Sequence, residues 1–283
     1  MVTLGPNRYG KAEVRVVRVT RDAEHQLRDW NVSVALSGDL EAVHLVGDNA
    51  HVLPTDTQKN TVYAFTQRLG DVEPEVLALE LAAHFVRDPI ARARVTVDQF
   101  GWTRLGGHSF ARASAEVRTC RVVNDAGAGA SVVGGVRDLM VLNTTDSEFW
   151  GFARDEYTTL GETHDRILAS SVNALWRFRS DANDWVAAFG VARQALLDAF
   201  VGTYSYSLQQ TLYEMGSAVL AAVPAICEVR LVLPNKHHFL VDLAPFGMAN
   251  ENEVYYAADR PFGQIEGNVL ADNAPDPGLA WDC

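Results

Sequence analysis

Cysteine is scarce in these 283 residues: Cys120, Cys227 and Cys283 are odd in number, far apart and outside any C-x-x-C spacing. That excludes a disulfide framework and a thiolate zinc cluster, and a reducing cytoplasm is the expected compartment. Positive charge is also short, with 24 Lys and Arg against 36 Asp and Glu and a net charge of −12. Nucleic acid or an anionic membrane would demand clustered Lys and Arg to displace counterions, so neither is expected as a partner. Long apolar runs are missing as well: no stretch approaches the ~18 uninterrupted apolar residues of a spanning helix, and MVTLGPNRYGKAEVRV has no apolar h-region. Neither a membrane span nor a secretory signal is expected. What remains, 48% hydrophobic against 21% charged residues, is the balance of a globular chain able to bury a large core. The length suits one large domain or two of about 140 residues.

Residues 12–19 and 31–36 alternate with period 2 and read as antiparallel strands. Val62, Phe65 and Leu69, then Val76, Leu79, Ala83 and Val86 behind Pro74, recur at helical spacing. Residues 94–100 and 110–123 return to strand character around the Gly106-Gly107 turn. The same order then recurs. Residues 131–142 and 164–178 look extended; Trp185, Ala188, Phe189, Ala192, Leu196 and Phe200 form one helical stripe, and Leu208, Leu212, Met215, Val219 and Ala222 a second, ended by Pro224. Cys227 to Leu233 alternates along a strand, and 253–258 reads as the last strand before a Pro/Asp/Gly/Asn-rich tail from about 271. The pattern is β-β-α-α-β-β read twice, 1–126 and 127–283, joined at the Gly/Ala-rich segment 124–130. It predicts an α+β fold of two antiparallel sheets, each backed on one face by two helices. Such a sheet leaves edges unpaired and one face bare, which favours closure with other subunits into a barrel.

Several motifs mimic chemistry. Gly5 to Lys11 fits G-x-x-x-x-G-K, but Ala12 stands where Ser or Thr must ligate Mg²⁺, and a strand pattern follows instead of a helix. Gly127-Ala128-Gly129 lacks the third glycine of a dinucleotide fingerprint. His237 and His238, adjacent near a strand end, are expected on opposite faces, so at most one meets a pocket, and no metal is expected there. A lone Lys such as Lys11 reads first as a solvated side chain. These readings yield a fold class and little more.

At 149–166 the chain runs FWGFARDEYTTLGETHDR and at 235–239 NKHHF; with TDTQKNTVY (55–63), SLQQTLY (207–213) and the early Gly10-Lys11, it resembles the urate oxidase (uricase) family over almost its whole length. The resemblance implies a tandem tunnelling fold, a homotetramer with active sites shared between subunits, and no cofactor. Its substrates would be urate and dioxygen, and its products 5-hydroxyisourate and hydrogen peroxide. Carried over residue by residue, the catalytic set is Lys11, Thr55 and His237, and the substrate-binding set is Thr55, Asp56, Phe149, Arg166, Leu208, Gln209 and Asn235. Asn143, Gly161 and His164 depart from the family pattern, which puts local strand packing in question. The terminal Trp281-Asp282-Cys283 differs from an S-K-L peroxisomal address, so a bacterial cytoplasmic enzyme is implied.

These types suit the chemistry. Urate is a planar oxopurine that must lose protons before passing an electron to dioxygen. Arg166 offers a planar two-donor fork that Lys could not reproduce, and Gln209 a donor and an acceptor at the same edge. Within the expected strand 164–178, Arg166 would be a costly buried charge unless an anion meets it, with Asp165 on the opposite face. Phe149 can stack on the purine and Leu208 close the slot, although Leu208 suits core packing equally well. Lys11, Thr55 and His237 together form a proton relay, and Asn235 with Thr55 can cradle dioxygen. The rival reading is a purine- or pterin-binding module that keeps Arg166 and Gln209 but turns nothing over; such a module would need no relay.

Overall fold

A computed structural model describes residues 2–258 and 260–282. Among the described residues, ten strands and five α-helices follow one another as β1 (Tyr9–Arg21), β2 (His25–Gly38), α1 (Glu41–Leu45), α2 (Thr55–Leu69), α3 (Pro74–Phe85), β3 (Ile90–Arg104), β4 (Phe110–Asp125), β5 (Gly129–Asn143), β6 (Leu168–Phe178), α4 (Trp185–Gly202), α5 (Leu208–Ala222), β7 (Ile226–Asn235), β8 (His238–Leu240), β9 (Tyr255–Ala257) and β10 (Gly263–Leu270). The fold is α+β. Eight strands form one antiparallel sheet in the order β1-β2-β3-β4-β5-β6-β7-β10. The two expected sheets are therefore continuous through the β4–β5 hairpin, whose turn falls at 126–128.

Alternation explains which face is covered. Val95 and Val97 of β3, Val122 of β4, Trp176 of β6 and Leu231 of β7 point to one side, where α2 to α5 lie, and belong to a single hydrophobic core. Each full burial such as Leu36 or Leu231 stabilises by roughly 1.5–3 kcal/mol. Pro74 opens α3, where its missing N–H is no loss. Side chains of Asp184 and Ser207 accept from Ala187 N–H (3.0 Å) and Gln210 N–H (3.2 Å), capping α4 and α5. Of the described helices only α4, at 18 residues and mean hydropathy 1.2, is long and apolar enough to cross a membrane. Its Trp185, Ala188, Ala192, Leu196 and Phe200 are instead buried in the core.

Three expectations need correction. Residues 253–258 do not close the main sheet: β9 pairs only with β8, in a separate two-stranded ribbon. The eighth strand is β10, whose Gly263, Gly267 and Asn268 dilute the alternation of Ile265 and Val269. Strand β6 begins at Leu168, so Arg166 precedes it in irregular chain. The strand also breaks between Asn235 and His238, which removes the alternation on which the opposite-face reading of His237 and His238 depended.

Candidate active site

The second half of the chain gathers Phe149, Arg166, Asn235 and His237 around one cavity of about 400 Å³, together with Thr163 and Tyr255. Both His237 and His238 line it, as do both Asp165 and Arg166, contrary to the sequence expectation in each case. Neither pair lies within one continuous strand: Asp165 and Arg166 sit in irregular chain before β6, and His237 precedes β8, which His238 opens, so their side chains need not alternate. The wall is set by strand pairing. Asn235 ends β7, flanked by Ser170 of β6 and Gly263 of β10, and Lys236 N–H continues to Ala169 O at 2.8 Å.

Phe149 is fixed by two backbone hydrogen bonds with Thr163, at 2.8 and 3.0 Å. Its ring lies nearly parallel to that of Phe152, centroids 5.0 Å apart, and it borders the cavity. Next to it, Glu148 accepts from Trp150 Nε1 at 2.5 Å and from the Tyr204 hydroxyl, which is pushed up to about 12 by that bond.

Arg166 has its guanidinium carbon 5.3 Å from the Phe149 centroid. Its Nε donates to Ser147 Oγ at 3.2 Å. No described carboxylate pairs with it; Asp165 accepts instead from the Thr145 hydroxyl at 2.9 Å. Burial alone lowers the guanidinium's proton affinity. His237 is lowered too, first by burial, then by the charges of Arg166 and His238, so the imidazole is neutral near pH 7. A half-buried cation with no counter-charge beside a neutral histidine and an amide is an anion-recognition arrangement with a proton acceptor attached.

The first-half residues gather elsewhere. Lys11 lies on β1 opposite Val34, immediately before a bulge in which Glu13 takes φ +56° and donates its N–H to Ser33 Oγ at 3.0 Å. Gly10 has no room for a side chain, since a Cβ there would stand 1.8 Å from Val34 O. Thr55 and Asp56 open α2. The Asp56 carboxylate is held below its ordinary range by Lys59, with Asn60 and the charge of Lys11 adding to it. Tyr9, on the strand that carries Lys11, accepts Leu53 N–H at 2.8 Å and so ties β1 to the chain just before Thr55. None of Lys11, Thr55 or Asp56 lines the cavity. Gln209 is exposed on the first turn of α5 and is not among the cavity's lining residues, whereas Leu208 is 3% exposed in the core.

The departures from the family pattern are accommodated. Asn143 donates to Phe200 O at 3.1 Å, tying β5 to the end of α4. Nothing lies within 4 Å of a Cβ built on Gly161. His164 is exposed, 3.6 Å from Glu148 and beside the Trp150 ring. Ser147, Tyr9 and Tyr255 carry no sequence signal that separates them from other serines and tyrosines. A larger concavity of about 1010 Å³ lies where the N-terminal segment meets the C-terminal tail; its Arg92 is paired with Asp125 and Asp282.

A family model described as "Uricase" matches residues 7–123 and 132–266. The chain belongs to the uricase family. It is 52% identical to a uricase of Arthrobacter globiformis over 99% of its own length and 94% of that protein, and 33% identical to one of Danio rerio over 92% of each. Its structure superimposes on crystalline Arthrobacter globiformis uricase with a TM-score of 0.95 at 50% identity, covering 99% of each chain. Against urate oxidase from Bacillus sp. TB-90, the TM-score is 0.80 at 21% identity, covering 94% of this chain and 100% of the other, which speaks to the fold alone. The tunnelling-fold architecture expected of uricases is the one observed. The binding-only reading finds no support in these relatives.

Proposed function

We propose that this chain is a urate:oxygen oxidoreductase, converting urate, dioxygen and water into 5-hydroxyisourate and hydrogen peroxide. The observation that carries the reading is Arg166, a cavity-lining cation without a carboxylate, placed beside neutral His237 and Asn235 in a uricase-family chain. In this proposal Arg166 and Gln209 grip the edge of the purine and Phe149 stacks on its face. Leu208 closes the slot from its core position, and Asp56 contributes to binding beside Thr55. Lys11, Thr55 and His237 relay protons: the ammonium lowers the cost of drawing a proton through the Thr55 hydroxyl, and the imidazole accepts at the far end. Asn235 and Thr55 hold dioxygen, or the water that later replaces it, above the ring, so that electron transfer gains from proximity.

Every residue lining the cavity lies between 149 and 255, so the Lys11 and Thr55 half must arrive from another chain if the two halves form one site. We therefore propose a homotetramer in which repeat 127–283 of one chain meets repeat 1–126 of the next. Two matching bulges support the division into repeats. Between β1 and β2, Glu13 takes φ +56° beside Ser33; between β5 and β6, Asp138 takes φ +58° and donates its N–H to Asn173 Oδ1 at 3.2 Å. A cytoplasmic location is part of the proposal, supported by the free, buried thiols of Cys120 and Cys227; Cys283 lies outside the described residues.

The test is the decay of urate's ultraviolet absorbance, with stoichiometric peroxide, by protein exhaustively treated with chelator. Turnover that persists after chelation supports the proposal. No decay, or decay only after a specific metal is restored, overturns it.

A further inference from the structure

Beneath Arg166 lies a polar chain that the catalytic scheme does not use. Ser147, Ser205 and Thr211 are each 0% exposed. Ser147 and Ser205 form a parallel bridge, in which Glu148 N–H donates to Ser205 O (2.8 Å) and Ser205 N–H donates to Asp146 O (2.9 Å). From α5, the Thr211 hydroxyl donates to Ser205 Oγ at 2.8 Å, and Ser205 Oγ donates to the carbonyl of Ser207, the residue that caps the same helix, at 3.1 Å. At the other end, Ser147 Oγ accepts Arg166 Nε at 3.2 Å. No described side chain or carbonyl takes either terminal nitrogen of that guanidinium.

We infer that Ser147 is a positioning residue for substrate recognition: seated on a buried bridge to the first turn of α5, its hydroxyl takes Nε of Arg166 and fixes the guanidinium plane with both terminal nitrogens left for the substrate. The inference rests on the proposed role of Arg166 as the purine fork. Its physical basis is that Nε–H is one of the guanidinium's five coplanar donors. Holding it sets the direction of the other four, and a fork aimed in advance loses less freedom when an oxopurine arrives. Through the backbone bridge to Ser205, and from there through the Ser205 and Thr211 hydroxyls, the same connection reaches the helix that begins Leu208-Gln209, so one buried network sets both arms of the proposed fork. A serine suits the place. A carboxylate there would neutralise Arg166 and remove its attraction for an anion, whereas a hydroxyl satisfies Nε and leaves the charge in place.

The experiment measures urate binding by equilibrium dialysis without dioxygen, where no turnover occurs, and kcat in air. The proteins are wild type, Ser147→Ala, Arg166→Lys and the double variant. Ser147→Ala should raise Kd about tenfold, equivalent to ~1.4 kcal/mol, with kcat at saturating urate changed less than twofold. In the Arg166→Lys background, where no Nε–H remains to be held, Ser147→Ala should add nothing. A purely structural role would lower affinity equally in both backgrounds, and that additivity would overturn the inference. So would an unchanged Kd in Ser147→Ala alongside a weakened Arg166→Lys, which leaves the fork reading standing. An unchanged Kd in Arg166→Lys overturns the fork reading, and this inference with it. If Ser147→Ala does not fold, by circular dichroism, Thr211→Val replaces it: releasing Ser205 without touching Arg166, it should raise Kd about threefold, and no change overturns the inference.

Discussion

Burial lowers the proton affinity of the Arg166 guanidinium, and no described carboxylate offsets it. Such a site gains most from a ligand that brings negative charge and two acceptors in one plane. Arg166→Lys keeps the charge but loses the fork, so KM for urate should rise about 10- to 100-fold while kcat falls little. Lys11→Met should do the reverse, lowering kcat by about 10²- to 10⁴-fold with KM nearly unchanged, because a relay acts in the transition state. Steady-state kinetics of the two variants check both, and equal losses in both parameters would show that the roles are misassigned. His237 gives a second prediction. Burial is the larger cause of its lowered proton affinity and Arg166 the next. The folded chain therefore gives up this proton at a lower pH than the unfolded chain, and protonation favours unfolding as pH drops below about 6.5. Titration of the ring by NMR should show a midpoint below that value. Arg166→Gln should raise it part of the way back, leaving the share due to burial; a midpoint at or above 6.5 in the unmutated chain would refute the assignment.

Among the elements, the bulge in β1 matters most, because it sets where Lys11 stands. Glu13 at φ +56° costs about 1–2 kcal/mol against glycine in the same conformation, and the Ser33 hydroxyl offsets part of that by taking its N–H. Gly10, one residue before Lys11, is required by the closeness of Val34 O. Gly10→Ala should thus destabilise by about 1–3 kcal/mol, whereas Glu13→Gly should be neutral or slightly stabilising. Urea unfolding of the two variants reads this directly, and equal effects would show that the bulge is not the constraint. Neither bulge was legible in the sequence, since AEVRVV and GVRDLM read as plain alternation and a bulge is fixed by the facing strand. The long helices and the alternating strands were legible, because Val95 and Val97, or Ala188, Ala192 and Leu196, repeat a period that one buried face imposes. Strand β10 was not, since glycine and asparagine interrupt its pattern where α5 packs closely: a Cβ on Gly267 would meet Leu212 at 2.8 Å. The identities of the candidate site residues came from resemblance, because an arginine's lack of a carboxylate or a serine's placement beneath it exists only in three dimensions.

At the scale of the molecule, β1 and β10 are open edges of an eight-stranded sheet, and the face opposite the helices carries polar strand residues crossed by the C-terminal tail. That tail is held by Arg177, which is paired with Glu228 and donates to Pro275 O at 2.8 Å, by Trp281 Nε1 on Glu228 at 2.9 Å and by Asp282 against Arg92. It therefore links strands of both halves, β3 as well as β6 and β7, and one hydrophobic core runs through them. A chain so tied cannot fold its two halves onto one another to bring Lys11 to Arg166, whereas an open edge can pair with a second copy. This gives the last prediction. In the proposed tetramer, Lys11→Met protein would damage only the first-half contribution to a site and Arg166→Ala protein only the second. When the two inactive variants are dissociated, mixed in equal amounts and reassembled, a site is intact if its first half comes from an Arg166→Ala chain and its second from a Lys11→Met chain. Random pairing makes each event one half, so roughly a quarter of wild-type activity should return. The measurement is urate turnover before and after mixing, with hetero-oligomers verified by native mass spectrometry. Activity that stays at the single-variant background despite hetero-oligomers would place both halves of the site in one chain, and would require the first-half residues to reach the cavity by a rearrangement of the sheet.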